Sequence, residues 1–353
     1  MKQFNNSITV SAPGKLMLLG EHAVVYGRPC IVTAVNQRMR VTVELIDQPV
    51  LELNAPDVQV TDYKKPMSNL GQGNIPTGAK FVEIAVKNFL NCHPERLAKD
   101  INLYSSASPQ NDKFGVKITT SSEFSSQFGF GSSSAATVCI IYALSELTRQ
   151  NLDNKQSLRS DDLKAIFDLS YKTVLDIQGK GSGFDVAAAV YGGTLYFVTD
   201  GKLIKPFKID QLPIIIGYSG IKFDTVRLID EVAKKAEKYP FIINNIYDQI
   251  AKLVKKAKKA ILTTDFITLG ELMNFNEGYL STLGVEGKKL ADMIYAARDA
   301  GAYGAKLSGA GIGDCMIAIA AEDKKQTVAN AITQAGGQVI DVKVNAKGVR
   351  IEL

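Results

Sequence analysis

The sequence predicts an α+β fold in two domains, and three observations carry that prediction. The first half is rich in short β-branched or apolar runs broken by Pro, Gly and polar residues. The second half changes to long stretches with helical spacing of apolar residues. The chain has 353 residues, which at about 150 residues per domain suits two domains. The change of character near residues 190–210 places the boundary, giving 1–200 and 201–353.

The elements follow in order. Ile8–Val10, Leu16–Leu19, Val41–Ile46 and Val116–Thr119 read as strands. Asp57 to Thr77 is polar, holds Pro66, Gly71, Gly73 and Pro76, and reads as a long loop, a feature often tied to function. A helix is predicted from about Ser132 to Leu147, capped by its serines, and another over Ser160–Leu175. Thr194–Val198 and Pro213–Gly217 read as strands. Ile243, Ile246, Tyr247, Ile250, Leu253, Val254 and Ala257 recur at helical spacing, with lysines 252, 255, 256, 258 and 259 between them. A basic amphipathic helix can bind membranes or nucleic acid, but a core-facing stripe with a solvated lysine face is the plainer reading. Pro240 separates this helix from the one before it. Helix Lys288–Ala300, strand Cys315–Ala320, helix Lys325–Ala335 and strand Gln338–Val344 complete the pattern.

Composition narrows the function. The chain is 46% hydrophobic and 22% charged, which excludes disordered and collagenous classes. The apolar run Val138–Leu144 is far short of the roughly 18 residues of a membrane span. The start, MKQFNNSITV, has no apolar core of a signal peptide. Cys30, Cys92, Cys139 and Cys315 are far apart with no CxxC, which suits reduced thiols in a cytoplasmic protein. With two histidines, His22 and His93, a His-based metal centre is not expected. The net charge of +5 favours anionic ligands weakly and demands no nucleic acid.

Four segments carry chemistry. Phe128-Gly-Phe-Gly-Ser-Ser-Ser-Ala-Ala136 runs straight into an apolar helix. Its glycines allow close backbone approach, and its serines stand where a helix presents free N–H groups and a positive dipole end. That is an anion site suited to a polyphosphate, with hydroxyls able to join a Mg²⁺ shell. A serine-capped turn would explain one Gly and one Ser, not two and three. The spacing matches neither GxxxxGK[ST] nor GxGxxG. Ala12-Pro-Gly-Lys-Leu-Met-Leu-Leu-Gly-Glu-His22 puts Lys15 at the head of a strand and Glu21 and His22 at its far end. Gly181-Ser-Gly-Phe-Asp185 sets an aspartate among small residues, where a helix N-cap is the bland alternative. Lys306-Leu-Ser-Gly-Ala-Gly-Ile-Gly-Asp-Cys315 places three alternating glycines before a strand, and a hairpin turn or bulge explains it equally well.

Together these segments resemble the GHMP kinases, the superfamily of galactokinase, homoserine kinase, mevalonate kinase and phosphomevalonate kinase. The motifs fall in order along nearly the whole chain, each weak alone and specific in combination. The opening APGKLMLLGEHAVVYGRP and the later NEGYLSTLG and GAYGAKLSGAG look most like the mevalonate kinases; GKGSGFDVAAAVYG and Gly313-Asp-Cys315 look more like the phosphomevalonate kinases. The resemblance implies an N-terminal domain similar to ribosomal protein S5 domain 2 and a ferredoxin-like C-terminal domain. It further implies transfer of the ATP γ-phosphoryl group to an alcohol, with mevalonate as first choice and phosphomevalonate, a sugar or an amino-alcohol as alternatives.

Carried over residue by residue, the resemblance makes Asp185 the catalytic aspartate with Lys15 beside it. Ser133 becomes the Mg²⁺-binding serine. Glu21, His22 and Thr225 become substrate-side residues. Gly129, Gly131, Ser132, Ser133, Ser134, Gly309, Ala310, Gly311 and Gly313 would hold ATP. Val174 stands where mevalonate kinases usually carry a Mg²⁺-binding glutamate, so nearby Asp176 or water is expected to take its place. Lys180 and Lys222 are the candidates to hold a second phosphate if the acceptor is already phosphorylated. The resemblance allows a homodimer.

Overall fold

The architecture comes from a computed structural model that describes residues 6–92, 114–151, 160–209 and 212–352. Two sheets organise it, one of eight strands and one of four.

The larger sheet grows from a long hairpin, β1 (Ser7–Leu19) and β2 (Pro29–Ile46), paired from Ser7↔Glu44 to Leu19↔Ile31. The two runs that read as separate strands are one strand. Pro13 cannot donate to the ladder, and the register shifts between Pro13 and Gly14 rather than breaking the strand. β3 (Val50–Ala55), β4 (Val60–Pro66) and β5 (Gly115–Ser122) extend the sheet on one side, with β3 and β5 parallel. β6 (Thr194–Val198) pairs with β2, and β7 (Leu203–Pro206) with β6. Three helices pack on this sheet, α1 (Thr77–Cys92), α2 (Ser132–Asn151) and α4 (Phe184–Tyr191), and a further helix, α3 (Ser160–Gln178), packs against all three of them.

The stretch 57–77 is not simply a loop, because it contains β4. Polar residues Asp62, Lys64 and Lys65 disguise an edge strand in which Val60 is the buried residue. The strand is tied to α1 by the fully buried carboxylate of Glu83. This accepts from Tyr63 Oη, from Lys65 Nζ at 2.7 Å and from the Gly71 backbone N–H at 2.6 Å.

The smaller sheet holds β8 (Ile214–Tyr218), β9 (Gly304–Ser308), β10 (Cys315–Ile319) and β11 (Gln338–Ile340), in the order β11-β8-β10-β9, all antiparallel. Between β8 and β9 run α5 (Thr225–Lys238), α6 (Pro240–Leu262), α7 (Phe266–Leu283) and α8 (Lys288–Asp299); α9 (Lys325–Gln334) links β10 to β11. This is the strand order of a ferredoxin-like unit, enlarged by extra helices. Pro240 sits in the first turn of α6, where its missing N–H costs nothing. The α6 stripe Ile243, Ile246, Tyr247, Ile250, Val254 and Ala257 is buried, and Lys252, Lys255, Lys256 and Lys259 face solvent. Tyr247 stacks on Tyr26 at 4.8 Å, so this helix docks on the turn that joins β1 and β2.

β11 stops at Ile340, short of the expected Val344. The chain beyond it leaves for the larger sheet: Asn36 N–H donates to Lys343 O at 2.8 Å, and β12 (Arg350–Ile351) pairs with β1. Arg38, 4% exposed, fastens this return. Its guanidinium donates to Ser11 Oγ (2.6 Å), Ser11 O (2.8 Å), Lys347 O (2.8 Å) and Gly348 O (2.7 Å). Replacing Arg38 takes its guanidinium donors from three carbonyls and from Ser11 Oγ, so Arg38→Met should lower stability by about 3 kcal/mol. Urea unfolding would measure this, with faster amide exchange at residues 343–352 as the local sign.

Candidate functional site

A cavity of about 610 Å³ lies where the two sheets meet, lined by residues from segments spread along the chain from Lys15 to Asp314. The first wall is the turn before α2. Gly129 (φ 70°) and Gly131 (φ 80°) are both left-handed, with Phe130 buried between them against Phe124 and Phe128. That conformation needs glycine, and so does the space. A methyl group at Gly131 would lie 3.3 Å from Lys15 Cε and 3.6 Å from Asp185 Cβ; at Gly129 it would strike the Asp314 carboxylate at 2.5 Å. Ser132, Ser133 and Ser134 then open the helix and line the cavity, so free N–H groups and a positive dipole end face it.

Lys15 on β1 is fixed to this turn at both ends. Its backbone N–H donates to Phe130 O at 2.9 Å, and Nζ donates to Gly129 O at 2.6 Å. Burial pulls the Lys15 ammonium below the usual lysine range, while Asp185 and then Asp314 push it back up.

Asp185 is not a helix cap. Gly183 (φ 86°) occupies that position, and Asp185 lies in the first turn of α4. One carboxylate oxygen accepts from Ser134 Oγ at 2.5 Å and the other from the Val186 N–H at 3.0 Å. A lysine from β1, serines from α2 and a carboxylate from α4 thus meet around one glycine.

His22 is buried, adopts φ 58°, and its Nε2–H donates to Ala310 O at 2.7 Å. Burial lowers its imidazole pKa, so the ring is neutral at neutral pH. Glu21 is 1% exposed; one oxygen pairs with the fully buried Lys306 and the other accepts from Asn276 Nδ2 at 3.1 Å. Both oxygens are thus taken by protein groups, and Glu21 forms wall and support. Thr225 opens α5 behind its cap Asp224 and reaches the cavity.

The glycine hairpin between β9 and β10 divides in two. Gly309 and Ala310 line the cavity; Gly311 and Gly313 do not. A methyl at Gly311 would lie 2.1 Å from Val285 O, and at Gly313 2.5 Å from Ile221 O, so these two let the turn press on neighbouring backbone. Asp176 does not replace the missing glutamate. Asn88 and Lys172 hold it, each at 2.8 Å, away from the cavity, whereas Val174 is part of its wall. Among the described residues no group of three or more His, Cys, Asp or Glu could hold a metal.

Sequence reasoning missed Lys306, Asn276, Glu277 and the role of Asp314. A lysine between Ala305 and Leu307 in an apolar strand was the available signal for the first. Lys180 and Lys222 both reach the cavity, but each is ion-paired, with Asp230 and Asp314 respectively.

Comparison with known proteins follows the same lines. Residues 93–193 match the family model "GHMP kinases N terminal domain" and 257–338 match "GHMP kinases C terminal". A mevalonate kinase of Thermococcus onnurineus is 35% identical over 351 residues, covering 98% of both chains. The chain belongs to the GHMP kinases. A mevalonate kinase of Pyrococcus furiosus is likewise 35% identical over 350 residues, with 98% of each chain covered. The crystal structure of the Methanococcus jannaschii mevalonate kinase superposes with a TM-score of 0.74 at 25% identity, over 97% of this chain and 99% of that one. No helix among the described residues of this GHMP kinase is long and apolar enough to cross a membrane.

The buried network beneath the cavity has a pH signature. Glu277 accepts from the Leu307 N–H at 2.8 Å, and burial pushes its carboxyl up to about 7 against the opposing pull of Lys306. A raised folded-state pKa favours the protonated folded form. Its contribution is therefore complete below about pH 4.5 and is lost as pH rises to about 7. Unfolding free energies from urea titrations across that window should fall with a slope of up to about 1.4 kcal/mol per pH unit from this group. In Glu277→Gln that component of the slope should vanish.

Proposed function

We propose that this chain uses ATP to phosphorylate the primary hydroxyl of mevalonate, giving 5-phosphomevalonate and ADP. The observation that carries the reading is the meeting of Lys15, Ser134 and Asp185 around Gly131 at the mouth of the α2 N-terminus. The full-length likeness to mevalonate kinases selects the acceptor.

Phosphoryl transfer depends on positioning and on neutralising charge. The triphosphate lies over residues 129–134, where helix N–H groups and the Lys15 ammonium meet its oxygens. Gly309 and Ala310 close the cleft from the other side. His22, neutral and with Nε2–H committed to Ala310, keeps Nδ1 as an acceptor toward the alcohol substrate, beside Thr225. Asp185 orients the hydroxyl and takes its proton as the new oxygen–phosphorus bond forms and the bond to the β,γ-bridging oxygen breaks. Ser134 holds that carboxylate in one rotamer. Lys15 keeps positive charge beside it.

The donors at the α2 N-terminus are serine hydroxyls with the Asp185 carboxylate beside them, hard oxygen ligands that suit Mg²⁺ bound mainly through nucleotide phosphates and water. Ser133 is the group that would hold it, and when bound it would supply charge neutralisation on the phosphates. The reading places the enzyme in the cytoplasm, in two domains whose boundary falls after β7 rather than at the expected residue 200, because β7 pairs with β6 and the C-terminal return rejoins the larger sheet at β1. A homodimer would show as a doubled mass in sedimentation analysis.

A phosphorylated acceptor is the second reading, favoured by Gly313-Asp314 but opposed by the pairing of Lys180 with Asp230. ADP release measured with Mg-ATP should be at least about tenfold more efficient with mevalonate than with phosphomevalonate, the size of a site that must otherwise place a second phosphate. The reverse preference would sink the mevalonate assignment. Asp185→Ala should lower kcat by at least about 100-fold, the scale of general-base help, while ATP still binds in calorimetry.

A further inference from the structure

Asp314 is a carboxylate in a place built for anions. It ends the glycine hairpin with φ 60°, a backbone region uncommon for a residue with a side chain. Three contacts hold it there. Its N–H donates to Ile221 O at 2.8 Å, its carbonyl accepts from the Ser219 N–H at 2.9 Å, and Oδ1 accepts from Lys222 Nζ at 3.1 Å. The side chain is only 9% accessible and lies against the turn at Gly129, whose missing methyl would touch Oδ2. Asp314 and Lys222 both line the cavity, and the charges of both are felt at Lys15, with opposite sign.

An unpaired carboxylate on the phosphate turn would repel a triphosphate. Lys222 neutralises it, yet the lysine side chain is 46% accessible on a flexible stem, free to turn into the cavity. A kinase gains nothing from binding its nucleotide too tightly before the transition state.

We propose that Lys222 is a reserve ligand for phosphoryl oxygens, and that Asp314 sets its strength by competing for the ammonium. In the empty enzyme Lys222 pairs with Asp314. When phosphate enters, the ammonium turns to it, and when phosphate leaves, Asp314 takes the lysine back. The inference rests on the kinase reading above. The phosphoryl oxygens belong either to the nucleotide or to the phosphorylated product, and the test separates them.

The test is calorimetric titration of the full chain with Mg-AMP-PNP, with adenosine and with 5-phosphomevalonate. Asn has the size of Asp and tolerates the left-handed backbone, so Asp314→Asn removes only the charge. It should bind the phosphorylated ligand about threefold or more tightly than the parent, with adenosine unchanged. A carboxylate that merely buttressed the wall would give weaker or equal binding. Lys222→Met, which removes the ligand and leaves Asp314 unopposed, should weaken the same ligand by about tenfold, and Lys222→Met/Asp314→Asn should recover only part of that loss, because the ammonium is still missing. The arm that responds, AMP-PNP or 5-phosphomevalonate, identifies the phosphate.

The proposal is overturned if a folded Asp314→Asn binds neither phosphorylated ligand more tightly. If that variant does not fold, an equal effect of Lys222→Met on AMP-PNP, 5-phosphomevalonate and adenosine overturns it instead. A parent protein that binds no AMP-PNP would refute the kinase reading itself.

Discussion

A lysine with no solvent exposure reaching from one sheet to a buried glutamate of the other is the contact on which the site depends. Lys306 on β9 pairs with Glu21 just beyond β1, and the alternate positions of the same segment continue the seam. Ser308 Oγ accepts from the Met17 N–H and donates to Met17 O, and Ala310 O accepts from His22. Removing two charges from water costs several kcal/mol per ion, and only close pairing with further hydrogen bonds offsets it. Asn276 and the Leu307 carbonyl supply those bonds. A buried pair of this kind adds little stability by itself, but it tolerates no sliding, and sliding would open or crush the cavity.

The reacting groups are held by the same economy of few, directional contacts. Lys15 is tied to the phosphate turn through main chain and side chain, so the position of its charge follows the turn. Asp185 is held by Ser134 rather than capping its own helix, which leaves the α4 cap to a glycine in the left-handed region. The carboxylate is therefore aimed across the cleft and not along its own backbone. The same packing explains why the hairpin glycines split their work. Gly309, with Ala310, lines the cleft, and Gly311 and Gly313 let Val285 and Ile221 backbone come close.

Much of this was legible before any coordinates. The serine-rich helix start, the lysine at the head of β1 and the aspartate among small residues all come together as expected, because each motif's local chemistry is dictated by residue type and short spacing. Long periodic elements were equally plain: α2, α3 and α6 run where apolar spacing put them. Strand β4 was hidden because an edge strand with Asp62, Lys64 and Lys65 shows no clean alternation. The early end of β11 was hidden because its continuation finds better partners on a different sheet.

What the amino-acid order determined by itself was the identity of the chemical groups and their local setting: glycines that free a turn, serines that open a helix, a cation and a carboxylate near small residues. Only the tertiary structure decided which charges are already spent. Glu21 is consumed by Lys306 across 285 positions of chain, and Asp176 by Asn88 and Lys172. Charge pairing acts over a few ångströms of space, and sequence separation carries no information about that distance once the chain has folded back on itself.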